Sequence, residues 1–115
     1  MPRMTGYNRG EIVLVEFVFS EGHGSKKRPA LIVSSPPYHA GREEVIVAVI
    51  TSNVRRLLFG DTKLEQWKVA GLLFPSVVTG IIRTIKASLI TRTLGVLVKS
   101  DLQKVHQHLR SALVF

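Results

Sequence analysis

The chain has 115 residues, 45% of them hydrophobic, and sets 16 Lys and Arg against 8 Asp and Glu for a net charge of +8 and a pI near 10.5. That length suits a single domain, no apolar run approaches the ~20 residues that span a bilayer, and the lack of cysteine excludes disulfides, thiolate metal sites and cysteine nucleophiles. The positive balance draws the chain to polyanions, either a phosphate backbone or an acidic protein segment. Met1 to Asn8 is short, polar and irregular, unlike a signal segment, so the cytoplasm is the expected location.

From Gly10 the stretch "GEIVLVEFVF" reads as a mostly buried strand, rich in valine and phenylalanine with Glu11 and Glu16 as interruptions. Ser20 to Lys27 then carries two glycines and several charges and reads as a hairpin-like loop. "RPALIVSS" is the second strand, with Pro29 tolerated near a strand start or at an edge because no ladder donor is needed there. "PPYHAGREE" reads as a loop and Glu44 to Ser52 as the third strand. "NVRRLLFGDTKL" offers only short extended pieces, and "AGLLFPSVVTGIIRTI" gives apolar runs broken at Pro75 and Gly80, the glycine marking a bulge or a bend. Leu94 to Val98 is the last strand expected. Several short strands between turn signals make a small barrel or sandwich, over about residues 10–98. The period then changes: Ser100 with Gln103 forms an S-x-x-Q capping pattern, and Leu102, Val105, Leu109, Ala112 and Leu113 recur at spacings of three and four, predicting one amphipathic helix over about residues 100–113. Trp67, in "QWKVAGLLF", reads as a packing residue. The four histidines, His23, His39, His106 and His108, show no metal-ligand spacing, so no metal site is read from the sequence.

The segments "GEIVLVEF", a glycine-bearing loop, "KRPALIVSS", "VIVAVITSN", "AGLLFPSVV", "RTIKASLI", "TLGVL" and a terminal helix together resemble the MazF/PemK family of toxin endoribonucleases, from about Gly10 to Leu113. The resemblance implies a mainly β fold, the SH3-like β-barrel of the MazF, PemK and CcdB toxin type, with a C-terminal α-helix. It further implies a homodimer that cuts single-stranded RNA without a metal or other cofactor, leaving 2′,3′-cyclic phosphate and 5′-hydroxyl ends, and that a cognate antitoxin inhibits. An acidic disordered antitoxin segment would complement the chain's charge. A related toxin with the same barrel blocks DNA gyrase without cutting RNA, and a non-catalytic RNA binder is the other alternative.

Metal-free cleavage needs a group that binds the scissile phosphate, stabilises charge on its oxygens and allows two proton transfers. Arg28, at a loop-to-strand junction, supplies planar bidentate donors and matches the family's arginine in R-P-A. Thr51 matches the threonine that ends the third strand, with Ser52 beside it, and His23 in the first loop is the expected proton carrier. Ser25 is a further donor to the phosphate. Lys26, Lys27, Arg55 and Arg56 are placed to follow the RNA backbone. Where many members read T-I-D, this chain reads "RTIK", with Lys86 in the acidic position. The usual carboxylate is therefore missing; Arg83 is a candidate replacement cation at the RNA groove, and Lys86 is expected to contact the RNA.

Overall fold

A computed structural model describes residues 6–18 and 24–114. The elements in chain order are β1 (Glu11–Val18), β2 (Ser25–Ile32), the single turn α1 (Pro36–His39), β3 (Glu44–Thr51), β4 (Thr62–Lys63), β5 (Val77–Lys86), β6 (Ile90–Val96) and α2 (Lys99–Leu113). The strands form one antiparallel sheet in the order β4-β5-β3-β2-β1-β6. The mainly β class with a C-terminal helix therefore holds. The sheet is not closed into a barrel: among the described residues no ladder joins the edge strands β4 and β6. No helix of the described residues is long and apolar enough to cross a membrane.

Both faces of the sheet are apolar, which is why its central strands read as near-continuous hydrophobic runs. One face carries Ile12, Leu31, Ala48, Ile50 and Val78, covered by Val105 and Leu109 of α2 and by Leu64, Ala70 and Leu72 from the β4–β5 connection. Trp67 packs half-buried against this layer, as expected. The opposite face carries Val13, Val15, Ala30, Ile32, Val45, Val47, Ile85 and Ile90, with Phe17, Tyr7 and Leu89 packed at its margins. Period-two alternation assigns each strand residue to one layer or the other.

Several local expectations change. The loop after β2 contains α1, whose His39 is fully buried with its Nε2 2.6 Å from Ser34 Oγ. The last strand starts at Ile90 rather than Leu94, because pairing with β1 orders the polar Thr91–Thr93 segment that shows no apolar signal. Helix α2 begins at Lys99 with no side-chain cap, so the Ser100–Gln103 capping box does not form. Its first turn is fixed instead by Asp101, which is buried and accepts hydrogen bonds from the backbone N–H groups of Glu65 (3.2 Å) and Gln66 (2.9 Å). A buried acceptor serving two backbone donors outweighs a solvent-facing cap, and its negative charge suits a helix N-terminus. Ala112 and Leu113, expected on the buried stripe, are exposed. The bulge read at Gly80 is present: Ala48 pairs with Ile82 and Ile50 with Val78, so the β3–β5 register shifts across residues 79–81.

Candidate functional site

Pro29 lies in the middle of β2, a central strand, and not at its start or at an edge. Backbone groups along a strand point alternately to its two neighbours. Ile32 O accepts from Gly10 N on the β1 side and Val33 N donates to Ile46 O on the β3 side, so the position of Pro29 is one whose N–H would face β3. Proline has none. The β2–β3 ladder accordingly stops at Ala30 opposite Val49, while β2 stays paired to β1 as far as Ser25 and β3 stays paired to β5 as far as Thr51. The two strands part, and a cleft opens at the end of the sheet.

The same register, carried two residues past Ala30 and Val49, sets Arg28 across from Thr51 on the two walls of that cleft. Both belong to the face of the second apolar layer, since Arg28 pairs with Val15 and Thr51 alternates with Val47 and Val49. Arg83 joins them from β5, opposite Val47. Past the last valine, the positions that fill the core become the polar residues of a groove. The groove has a volume of about 770 Å³, and its lining includes Arg28, Thr51, Arg56 and Arg83 together with Phe17 and Asn53. Among the described residues none of these three arginines forms an ion pair; the ion pairs found are Lys86–Glu43 and Lys104–Glu65. The Arg83 guanidinium lies 5.6 Å from the Phe17 ring centre, a cation–π contact that holds it over the apolar margin. Thr51 Oγ1 accepts from Asn53 N at 3.1 Å, which orients the side chain and leaves its hydroxyl proton available to an anion.

The remaining sequence candidates separate. Lys26, opposite Phe17, flanks the groove on the Arg28 face, whereas Lys27, opposite Glu16, belongs to the other face. Ser25 donates its hydroxyl to Glu16 at 2.6 Å. Ser52 and Arg55 are exposed beside the groove without lining it. Lys86 is at the far end of β5, where it pairs with Glu44, seven residues and so roughly 23 Å along β3 from Thr51; its ammonium lies 3.9 Å from Glu43. His23 lies outside the described residues. The other three histidines do not line the groove: His39 is in the core beside α1, His108 Nδ1 is 2.6 Å from Thr62 Oγ1, and His106 has its pKa pushed below 6.5 first by burial and then by Arg9 and Arg110. Among the described residues no group of three or more metal-ligating side chains is placed to hold an ion.

Sequence reasoning did not identify Asp61 or Phe59, which also line the groove. Asp61 Oδ1 accepts from Gly80 N and Oδ2 from Leu58 N, each at 2.8 Å, so this carboxylate ties the loop after β3 to the bulge of β5. "FGD" is a recognisable turn, but its partner 19 residues away is not legible locally.

A small antiparallel sheet with one helix on one face and, at the end where β2 and β3 part, a groove lined by arginines without ion pairs among the described residues defines a β-domain with a cationic groove. Residues 8–113 match the family model of the PemK-like, MazF-like toxin of type II toxin–antitoxin systems, and the chain belongs to that family. Among solved structures, the Mycobacterium tuberculosis toxin MazF-mt6 is similar at 26% identity with a TM-score of 0.71, over 90% of this chain and 97% of that one. A MazE–MazF structure from Deinococcus radiodurans is similar at 21% identity with a TM-score of 0.78, over 95% and 97% of the two chains. A mycobacterial endoribonuclease in complex with its cognate antitoxin matches at 21% identity with a TM-score of 0.74, over 96% and 97%. A search of curated protein sequences gives no significant match.

Proposed function

We propose that the chain is the ribonuclease of a type II toxin–antitoxin system, cutting single-stranded RNA at specific sequences in the cytoplasm. The observation that carries the reading is the placement of Arg28 and Thr51 on facing walls of a groove opened by Pro29. A phosphodiester bound between them would receive two guanidinium N–H groups and one hydroxyl on its non-bridging oxygens. The ribose 2′-oxygen then bonds to phosphorus as the 5′-oxygen of the next nucleotide leaves, so the products are a 2′,3′-cyclic phosphate and a 5′-hydroxyl. The proton lost by the 2′-hydroxyl and the one gained by the leaving oxygen pass through His23 or through water. Fixed cationic donors lower the barrier by stabilising charge on the phosphorane oxygens, and Arg56, from the loop after β3, and Arg83, from β5, extend the positive lining of the groove.

Incubation of the purified protein with a long single-stranded RNA in EDTA is the direct test. Discrete cuts with cyclic-phosphate and 5′-hydroxyl ends are expected. RNA that stays intact in EDTA but is cut on adding magnesium would overturn the metal-independent mechanism, and RNA intact under both conditions would overturn the nuclease reading.

The same proposal includes a homodimer and a cognate antitoxin with an acidic segment. The net charge of +8 and the unpaired arginines of the groove favour such a segment. Antitoxin affinity is therefore expected to fall steeply between 50 and 500 mM salt, about tenfold or more. Salt-insensitive binding, or a monomer mass at micromolar concentration, would count against these two parts of the proposal.

A further inference from the structure

The rim of the groove carries a side chain that the phosphate chemistry does not use. Phe59 is 81% exposed, yet it lines the same cavity as Arg28, Thr51 and Arg56. It does not stand alone, since Leu57, Leu58 and Ile81 beside it are also exposed, but it is the aromatic one, and the backbone beneath it is held by hydrogen bonds. Asp61 N donates to Leu58 O at 3.0 Å and Asp61 Oδ2 accepts from Leu58 N at 2.8 Å, closing the turn around Phe59. Asp61 Oδ1 accepts from Gly80 N, fastening the turn to β5. Gly60 has φ +97°, and a Cβ there would lie 3.2 Å from Ala112 Cβ of α2 and 3.7 Å from Gly80 Cα, so the turn is seated between helix and sheet. The ring is presented to the groove by a turn braced on both sides.

We infer that Phe59 is a stacking platform for one base of the single-stranded RNA whose phosphate lies between Arg28 and Thr51, and so a determinant of where the chain is cut. The inference rests on the nuclease reading above. Sites for single-stranded nucleic acid pair a cationic groove, which follows the backbone, with aromatic faces that take up unpaired bases. Both halves of that combination are in one cavity here. A purely apolar protein partner would bury Phe59 together with unpaired Arg28, Arg56 and Arg83 and leave their charges without counterparts. A base stacked on Phe59 brings its own phosphates to them. Since hydrogen bonds already fix the turn's backbone, stacking a base costs the rotamer freedom of the ring but no ordering of the turn. Asp61 is then a positioning residue that acts through the turn it closes.

The test uses a single-stranded RNA oligonucleotide spanning a mapped cut site, with a 2′-deoxy residue replacing the attacking nucleotide so that it binds without being cut. Fluorescence anisotropy is measured for the wild type, Phe59→Ala, Phe59→Trp and Arg28→Ala, with an abasic residue moved through the oligonucleotide, and the mass of each protein is taken by light scattering. Phe59→Ala is expected to weaken binding about 5- to 150-fold, the loss of one base–aromatic stack, and Phe59→Trp to retain it. One abasic position is expected to cost the wild type the same factor and to cost Phe59→Ala nothing further. Unchanged affinity in Phe59→Ala, losses that multiply at every abasic position, or a loss accompanied by a halved mass would overturn the inference, the last by assigning Phe59 to contact with a second copy. If the wild type neither binds nor cuts RNA, the nuclease reading fails and the inference with it. If the wild type and Phe59→Ala bind alike while Arg28→Ala does not, only the inference fails.

Discussion

Arg28→Ala is expected to reduce RNA cleavage by about 10²–10³-fold or more while leaving the fold intact. The rate loss follows from removing a fixed donor aimed at oxygens that gain charge in the transition state. The fold should survive because Arg28 is exposed and, among the described residues, makes no ion pair whose partner would be stranded. Arg28→Lys separates charge from geometry. A lysine keeps the cation but loses the planar fork that meets two phosphate oxygens at once, so activity between those of alanine and arginine is expected. Thr51→Val removes the hydroxyl at nearly constant volume, and Thr51→Ser restores it. Cleavage by Arg28→Ala at the wild-type rate, with an unchanged melting temperature, would move the phosphate site away from the β2–β3 opening. Arg83 or Arg56 would then be the next candidate in the same groove.

The route from sequence to this site was legible where short-range pattern sufficed. The valine- and isoleucine-rich runs around residues 12–15, 30–32 and 45–50 are largely buried, and the first and third strands stand where the pattern puts them. β2 instead runs from Ser25 to Ile32, taking in the end of the expected Ser20–Lys27 loop and stopping short of Ser35, because pairing with β1 orders the polar Ser25–Lys27 segment. Arg28 and Thr51 entered through the family resemblance, and the structure gives that pairing a physical basis, since the proline after Arg28 withholds the donor that would have kept β2 against β3. What pattern reading missed depends on partners distant in sequence. Lys86 shares a strand with Arg83, but only the antiparallel register with β3 places it beside Glu43 and away from the groove. Ser100 and Gln103 have the spacing of a cap, and Asp101 displaces that arrangement through bonds to Glu65 and Gln66, some 35 residues earlier. Asp61 and Phe59 become groove residues only because β5 bulges at Gly80 and frees an N–H for the Asp61 carboxylate. Local chemistry supplied the strands, and the register between them supplied the site.

Gly71→Ala should be the most damaging glycine-to-alanine change among the described residues. Gly71 has φ +96°, a conformation that costs an L-residue about 1–2 kcal/mol. Its absent Cβ would also lie 2.3 Å from Leu94 O and 2.9 Å from Leu94 C, backbone atoms of β6 that cannot swing aside as a side chain would. The contact is reciprocal, since a Cβ on Gly95 would lie 2.2 Å from Ala70 O. The two glycines allow the 70–71 backbone to lie directly on β6, and that approach seats fully buried Ala70 and nearly buried Leu72 in the core shared with α2. A methyl group at Gly71 must lift that segment and partly expose both residues. Overpacking of this kind adds to the backbone term and brings the expected loss to about 3–4 kcal/mol. Against the ~5–15 kcal/mol typical of a domain, that is a large share, equivalent to a fall of roughly 10–15 °C in Tm for a chain of this size. Gly80→Ala is the control: Gly80 has ordinary backbone torsions and its Cβ would meet nothing closer than 3.6 Å, so a change of under ~1 kcal/mol is expected. Urea unfolding of both variants decides the matter. If Gly71→Ala unfolds with the wild-type midpoint, the segment can shift without cost and the close packing of the β4–β5 connection on β6 is not what fixes that face of the core. If Gly71→Ala is strongly destabilised and Gly80→Ala is not, the damage comes from backbone contact at one crossing and not from a general intolerance of side chains where the sheet has glycine.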